Sequence, residues 1–306
     1  WSLRMADFWG GAPSANVSGT PPVTGTGACN AAWILAVNFG VYGYDGNVAS
    51  GKGVFPLAGC VSDANYVSGS DILVVRYANT DAVPTSGGSS GITPGKIYLQ
   101  AKTGLRGELF ANTVPTDLPN SIEGVSTYPY SLEMYYLRPC SDPGTGGVCS
   151  ATSDGGSPIP TLMRLRLQDD GTLISEPVVE GVEQLQFDYG IRTSPDDATP
   201  SKYVSADQVT DWSQVIAVRV GYVLRAQTRD TALSHPFDSG NSSTTTSPTY
   251  ATRLSGNCEY GIDQTGARIA GWNCPNYSLA QLGSKPQQFN RAQMTAVVQV
   301  RNRIRM

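Results

Sequence analysis

Nucleophilic catalysis by serine or cysteine needs a base beside the nucleophile. This chain carries one imidazole, His235, in the segment TALSHPFD with Ser234 directly before it. Sequence neighbours do not make a triad, whose members converge from separate elements, and the segment reads as a loop with a solvated histidine. Glycosidase chemistry needs two carboxyl groups facing each other across a cleft. The acidic pairs Asp169-Asp170 and Asp196-Asp197 fall in turn-like runs and read as solvated turn residues. Either turn offers oxygens of the kind Ca²⁺ takes, but neither has EF-hand spacing. No GxxxxGK[ST] run is present to cradle a nucleotide phosphate. Tyr42, Tyr44, Tyr128, Tyr130, Tyr135 and Tyr136 cluster in sequence and could stack on a sugar ring; packing on a sheet is the commoner use. The expectation is a non-catalytic protein without a metal site or a cofactor.

The cysteines are Cys29, Cys60, Cys140, Cys149, Cys258 and Cys274. None forms a CxxC pair, and one histidine leaves no usual zinc spacing. Each consecutive pair brackets a loop-like stretch, so nearest-neighbour bridges are expected, each pinning one loop. Closing a loop of about 15 residues is worth roughly 3 kcal/mol in the chain-entropy model. Structural disulfides imply an oxidising compartment; the competing reading is six buried free thiols.

The elements that must position these residues are mostly strands. Only 15% of the 306 residues are charged, against about 25% in ordinary soluble domains. Gly, Pro, Ser, Thr, Asn and Tyr are plentiful, as in an extracytoplasmic β protein with many loops. The formal net charge of -4 gives no reason to expect a nucleic-acid partner, and no run of about 18 apolar residues spans a membrane. The organising stretch is 176–225. Leu185, Phe187 and Tyr189 alternate with Gln186 and Asp188, and Ile216, Val218, Val220, Tyr222 and Leu224 share one face of a second strand. That second strand reads as central, with Val218 and Val220 almost fully buried; the stretch between the two reads as a surface loop. Further strands are expected at 71–78, from Lys96, near LRGELFANT, at 131–139, in a hairpin over 159–177 turning at Asp169-Asp170-Gly171, and at QMTAVVQV. At the N-terminus Trp1, Met5 and Phe8 are spaced i, i+4 and i+7, one helical face that ends at Gly10-Gly11. This reads as the tail of a longer helix or as a frayed terminus that docks on the core; on the first reading Trp9 or Phe8 packs on the head and Trp1 is available to a partner.

In their order, LRMADFWGG (3–11), GSDILVVRYA (69–78), YYLRP (135–139), IPTLMRLRL (159–167), VVEGVEQLQFDYGI (178–191), DWSQVIAVRVGYVLRA (211–226) and RAQMTAVVQVRNR (291–303) resemble the PilW family of type IV pilus minor pilins. The resemblance spans nearly the whole chain; VEGVEQLQFDYG, then Trp with VIAVRV, then a terminal VRNR, are its most specific parts. The prepilin leader and the long hydrophobic helix of that family do not occur in these residues. The resemblance implies an α+β, pilin-like fold. A helix remnant (residues 1–11) would pack on antiparallel sheets of one β-rich head (residues 12–306) with long exposed loops at 79–95, 192–211 and 226–290. It implies no catalysis, and an interface built on Trp1, Met5, Phe8 and Trp9. The implied partners are other minor pilins, the major pilin and a PilY-type tip adhesin. The implied locations are the inner membrane and periplasm before assembly and the pilus tip afterwards. A J-type pseudopilin of type II secretion shares the implied fold; a secreted β-rich enzyme or glycan-binding module is the reading from another class.

Overall fold

Alternating side chains make strands wherever one face can be covered. A computed structural model of the chain describes residues 16–18, 27–37, 40–46, 60–84, 91–102, 106–115, 124–194, 197–231 and 289–300. In chain order its main elements are β1 (Asn16–Ser18), the short helix α1 (Ala31–Ile34), β2 (Val41–Tyr44) and β3 (Ile72–Ala78). Then come β4 (Ile97–Lys102), β5 (Arg106–Ala111), β6 (Val125–Arg138), β7 (Thr161–Leu167), β8 (Leu173–Glu180), β9 (Val182–Ile191), β10 (Lys202–Val204), β11 (Val215–Arg225) and β12 (Arg291–Gln299). They build two sheets that are antiparallel throughout except for the parallel β1–β5 pair.

The larger sheet runs β1-β5-β4-β6-β3-β2, with β7 paired to β6 and β8 to β7. Its seam is β6, long enough to serve several neighbours. Residues 125–129 pair with β4, residues 130–135 with β3, and residues 133–138 with β7. The smaller sheet runs β10-β9-β11-β12. The chain crosses from one sheet to the other through a single residue, Gly181, between β8 and β9. Its φ is +82°, and a Cβ there would lie 2.5 Å from the Arg225 carbonyl oxygen. Its N–H donates to Pro160 and its carbonyl accepts from Arg225. Only glycine takes this conformation at so close an approach without strain.

The two sheets lock along β9, which is buried from Val182 to Gly190. Beside Leu185 and Phe187 its edge is taken by a loop rather than a strand. The Asp71 N–H donates to the Leu185 carbonyl at 3.0 Å. The Asp71 carboxylate accepts from Phe187 N at 2.7 Å and Gly46 N at 3.0 Å. Gln186 Nε2 donates to the Gly69 carbonyl at 3.0 Å. Tyr189 stands edge-on to Trp212, 4.8 Å between centroids, and Trp212 leans on Tyr42 at 4.5 Å. Gly43 lies under Tyr189, where a Cβ would collide with the phenol ring. The core between the sheets joins Leu185, Phe187, Tyr189 and Val218 to Val67 and Leu137. The opposite face of β3 and β6 is covered by α1 and by Val61 beside the Cys29–Cys60 bridge.

The β-rich, mainly antiparallel architecture and the long strands agree with the sequence expectations. Three details differ. Val218 is 5% exposed, but Val220 is only half-buried, although β11 is flanked by β9 and β12. Its β12 neighbour on that face is Ala296, small and itself exposed. The stretch 192–211 is not all loop, because β10 pairs with β9 there. The stretch after Asn30, for which no element is expected above, forms α1 and β2, and Asn30 caps the helix by accepting from Trp33 N at 3.1 Å. Trp1, Met5, Phe8, Trp9, Ser234, His235, Asp196, Cys258 and Cys274 lie outside the described residues.

Candidate interaction surface

The acidic turn residues do local work. Asp170 accepts from Thr172 N at 2.9 Å and Thr172 Oγ1 at 2.6 Å, which closes the β7–β8 hairpin and holds its carboxyl below the usual range. Asp169 reaches Lys96 at 3.0 Å. Asp197 accepts from Ser194 N at 2.8 Å and from Thr193, and its pKa is lowered by those bonds. Among the described residues no three His, Cys, Asp or Glu side chains gather as a metal site would need. The tyrosines also pack. Tyr42 and Tyr44 meet edge-on at 5.0 Å, Trp33 Nε1 donates to Tyr44 at 3.1 Å, and the buried Tyr130 hydroxyl donates to the Ile34 carbonyl at 2.5 Å. Tyr136 bonds Ser175 at 3.0 Å. Cys140 joins Cys149, Cα atoms 5.6 Å apart, and Cys29 joins Cys60 at 5.1 Å. Asp154, in the left-handed region at φ 52°, organises the first of these loops. It accepts from Ser141 N at 3.0 Å, Asp142 N at 2.6 Å and Ile159 N at 2.7 Å.

Sequence reasoning passed over two groups of charges. The first is buried. Glu183 is 0% exposed and accepts from Arg291 Nε at 2.5 Å and Nη2 at 2.9 Å, while Arg225 Nη1 stands 3.9 Å away. Arg225 also stacks on Phe289, 4.3 Å from the ring centroid, and donates to the Pro158 carbonyl. This cluster ties β9, β11 and the start of β12 together at the point where the chain leaves for, and returns from, residues 232–288. Burial lowers the Arg291 pKa, and the Glu183 carboxylate opposes the shift.

The second group is a half-exposed polar network on β3, β6, β7 and β8. Glu133 accepts from Tyr77 at 3.2 Å, Tyr135 at 2.6 Å and Arg164 at 3.4 Å. Arg164 and Arg166 both grip Glu176, at 3.0 Å and 2.7 Å. The two arginines pull Glu176 down to about 2, and partial burial with the Glu133 carboxylate pushes the Tyr135 phenol up. Every acid here has a cationic or phenolic partner, so the face offers a fixed pattern of charge. The only sequence signal was the alternation of Arg164 and Arg166 in LMRLRL; their partners lie on other strands and only strand pairing reveals them.

What the described surface offers is therefore rigid sheet, ordered loops and sheet edges. No described helix is long and apolar enough to cross a membrane. Residues 149–302, half of the chain, match the family PilW, Type IV Pilus-assembly protein W. No curated protein and no solved structure matches the chain. The matched segment holds β7 through β12, the Gly181 crossing and the Glu183 cluster. The chain belongs to the PilW family, and its role is tied to type IV pilus assembly.

Proposed function

We propose that this chain is the head of a minor pilin that joins other minor pilins and the major pilin to start a pilus and remains at its tip. The observation that carries this reading is the family match over residues 149–302, the segment that builds the whole smaller sheet. On this reading residues 12–306 form one head. The stripe of Trp1, Met5, Phe8 and Trp9 continues a membrane-anchored helix and packs against the head and neighbouring helices. Burying one such aromatic side chain contributes roughly 1.5–3 kcal/mol. A PilY-type adhesin is the outer partner. The bridged loops suit life in the periplasm and outside the cell, where disulfides persist. The role needs binding and no catalysis. The experiment is removal of the gene and its return in trans, with surface pili counted by electron microscopy. Loss of pili on removal, recovery with the intact gene and no recovery with a Trp1→Ala, Phe8→Ala variant are expected. Unchanged pilus numbers on removal would overturn the reading.

A further inference from the structure

Sheet edges expose unpaired N–H and C=O groups, and proteins blunt them with short strands, charge or proline. Among the described strands the edges are β1, β2, β8, β10 and β12. β1 and β10 have 3 residues each and β2 has 4. β8 carries Pro177, Glu176 and Glu180, and its ladder slips at Leu162/Met163. β12 has none of these devices. It runs 9 residues, its pairing with β11 is unbroken, and from Ala292 to Gln299 it holds no charge, proline or glycine. Met294 and Val298 on one face are 47% and 57% exposed, and Val297 on the other is 56% exposed.

The direction of its backbone groups follows from the ladder. Val300 N donates to Ile216, and Ala226 N donates to Asn290. In an antiparallel pair, bonded residues alternate with residues whose groups point away. The even-numbered residues of β12 therefore bond to β11. Gln293, Thr295, Val297 and Gln299 turn their N–H and C=O groups to the outer edge, where no described strand pairs them.

We infer that this edge pairs with the same edge of a second copy of the chain, antiparallel about a two-fold axis at Thr295, joining two four-stranded sheets into one. The strand is self-complementary in that register. Thr295 meets its own copy, and Gln293 meets Val297 in both directions. All of these are outward-bonding residues, so the three central pairs exchange about six hydrogen bonds. On the face of Met294 and Val298 the register sets Met294 against Ala296 and Val298 against Ala292. Each large side chain thus meets a small one, and no like charges face each other. Such a two-fold contact closes on itself and does not propagate. The inference rests on the strand alone and not on the proposed role in the pilus.

Sedimentation equilibrium of this 306-residue chain over roughly 1–100 µM tests it. A monomer–dimer equilibrium is expected. Thr295→Pro should abolish the dimer and leave the circular dichroism unchanged, together with the unfolding midpoint measured at a concentration where the parent is monomeric, because the lost N–H makes no bond to β11. Val297→Lys, a charge on the exposed face, should weaken dimerisation at least about tenfold. Thr295→Cys should be cross-linked to a dimer by a short bis-maleimide. Gln299→Cys should not, because its two copies would lie about 27 Å apart along the paired strands. A parent chain that stays monomeric throughout, including one that binds only an extended strand of another protein, overturns the inference. So does a Val297→Lys chain that dimerises as tightly as the parent, or equal cross-linking at both cysteines.

Discussion

Replacing Glu183 by glutamine keeps the side chain's shape and removes a carboxylate that faces both Arg291 and Arg225. The pair is dry: Arg291 and Glu183 side chains are 1% and 0% exposed, so solvent screening does not weaken it. The glutamine would take the Glu183 charge from both guanidinium groups, and Arg225 Nε and Nη1 have no hydrogen-bond partner among the described residues. Breaking a buried pair by removing one member costs about 3–5 kcal/mol. For a chain of this size that lowers the melting temperature by about 5–8 °C. Urea unfolding of Glu183→Gln, Arg291→Met and the double variant measures the coupling, with circular dichroism as the probe. The double variant should lose less than the two single losses added, by about 2 kcal/mol or more. A Glu183→Gln loss under about 1 kcal/mol, with additive effects in the cycle, would refute the view that this cluster holds β12 to the sheet.

Gly181→Ala should destabilise by about 1–3 kcal/mol, since the residue would take a left-handed conformation against the Arg225 carbonyl; an unfolding midpoint equal to the parent's would contradict it. Removing Cys29 and Cys60 should cost about 3.7 kcal/mol in the chain-entropy model, and removing Cys140 and Cys149 about 2.6. The order follows from sequence separations of 31 and 9, and urea midpoints of the two double variants would expose a reversal. Glu176 has a folded pKa pulled from its ordinary 4.5 to about 2. Its contribution is therefore present above pH 4.5 and lost as pH falls towards 2. The stability gap between the parent and Glu176→Gln should shrink across that window, and a constant gap from pH 6 to 2 would show that the Arg164 and Arg166 contacts do not form in solution.

Much of this molecule was legible locally. The alternation Leu185, Phe187, Tyr189 and the run Ile216 to Leu224 mark β9 and β11, because a side-chain period of two belongs to the backbone itself. Asp169-Asp170-Gly171 marks its hairpin, because Gly171 takes φ +81° and Asp170 caps the turn. The same segments carry the family resemblance.

Periodicity does not say what lies beside a strand or over its face. A glutamate in VEQLQF reads as solvent-facing, yet Glu183 is buried because Arg291, 108 residues away, folds back onto it. Phe187 depends on Asp71, 116 residues distant, to satisfy its N–H. Glu133, Arg164 and Glu176 become a network only once β6, β7 and β8 align. Val220 has the pattern of a core residue but is half-exposed, because its cover depends on β12, a strand recruited from beyond residues 232–288. The chain's own residues determined where the long strands lie, where the β7–β8 hairpin turns and which family it belongs to. Only the tertiary structure decided which charges are buried, where the chain changes sheets and which edge no described strand pairs, because those depend on contacts between residues far apart in sequence.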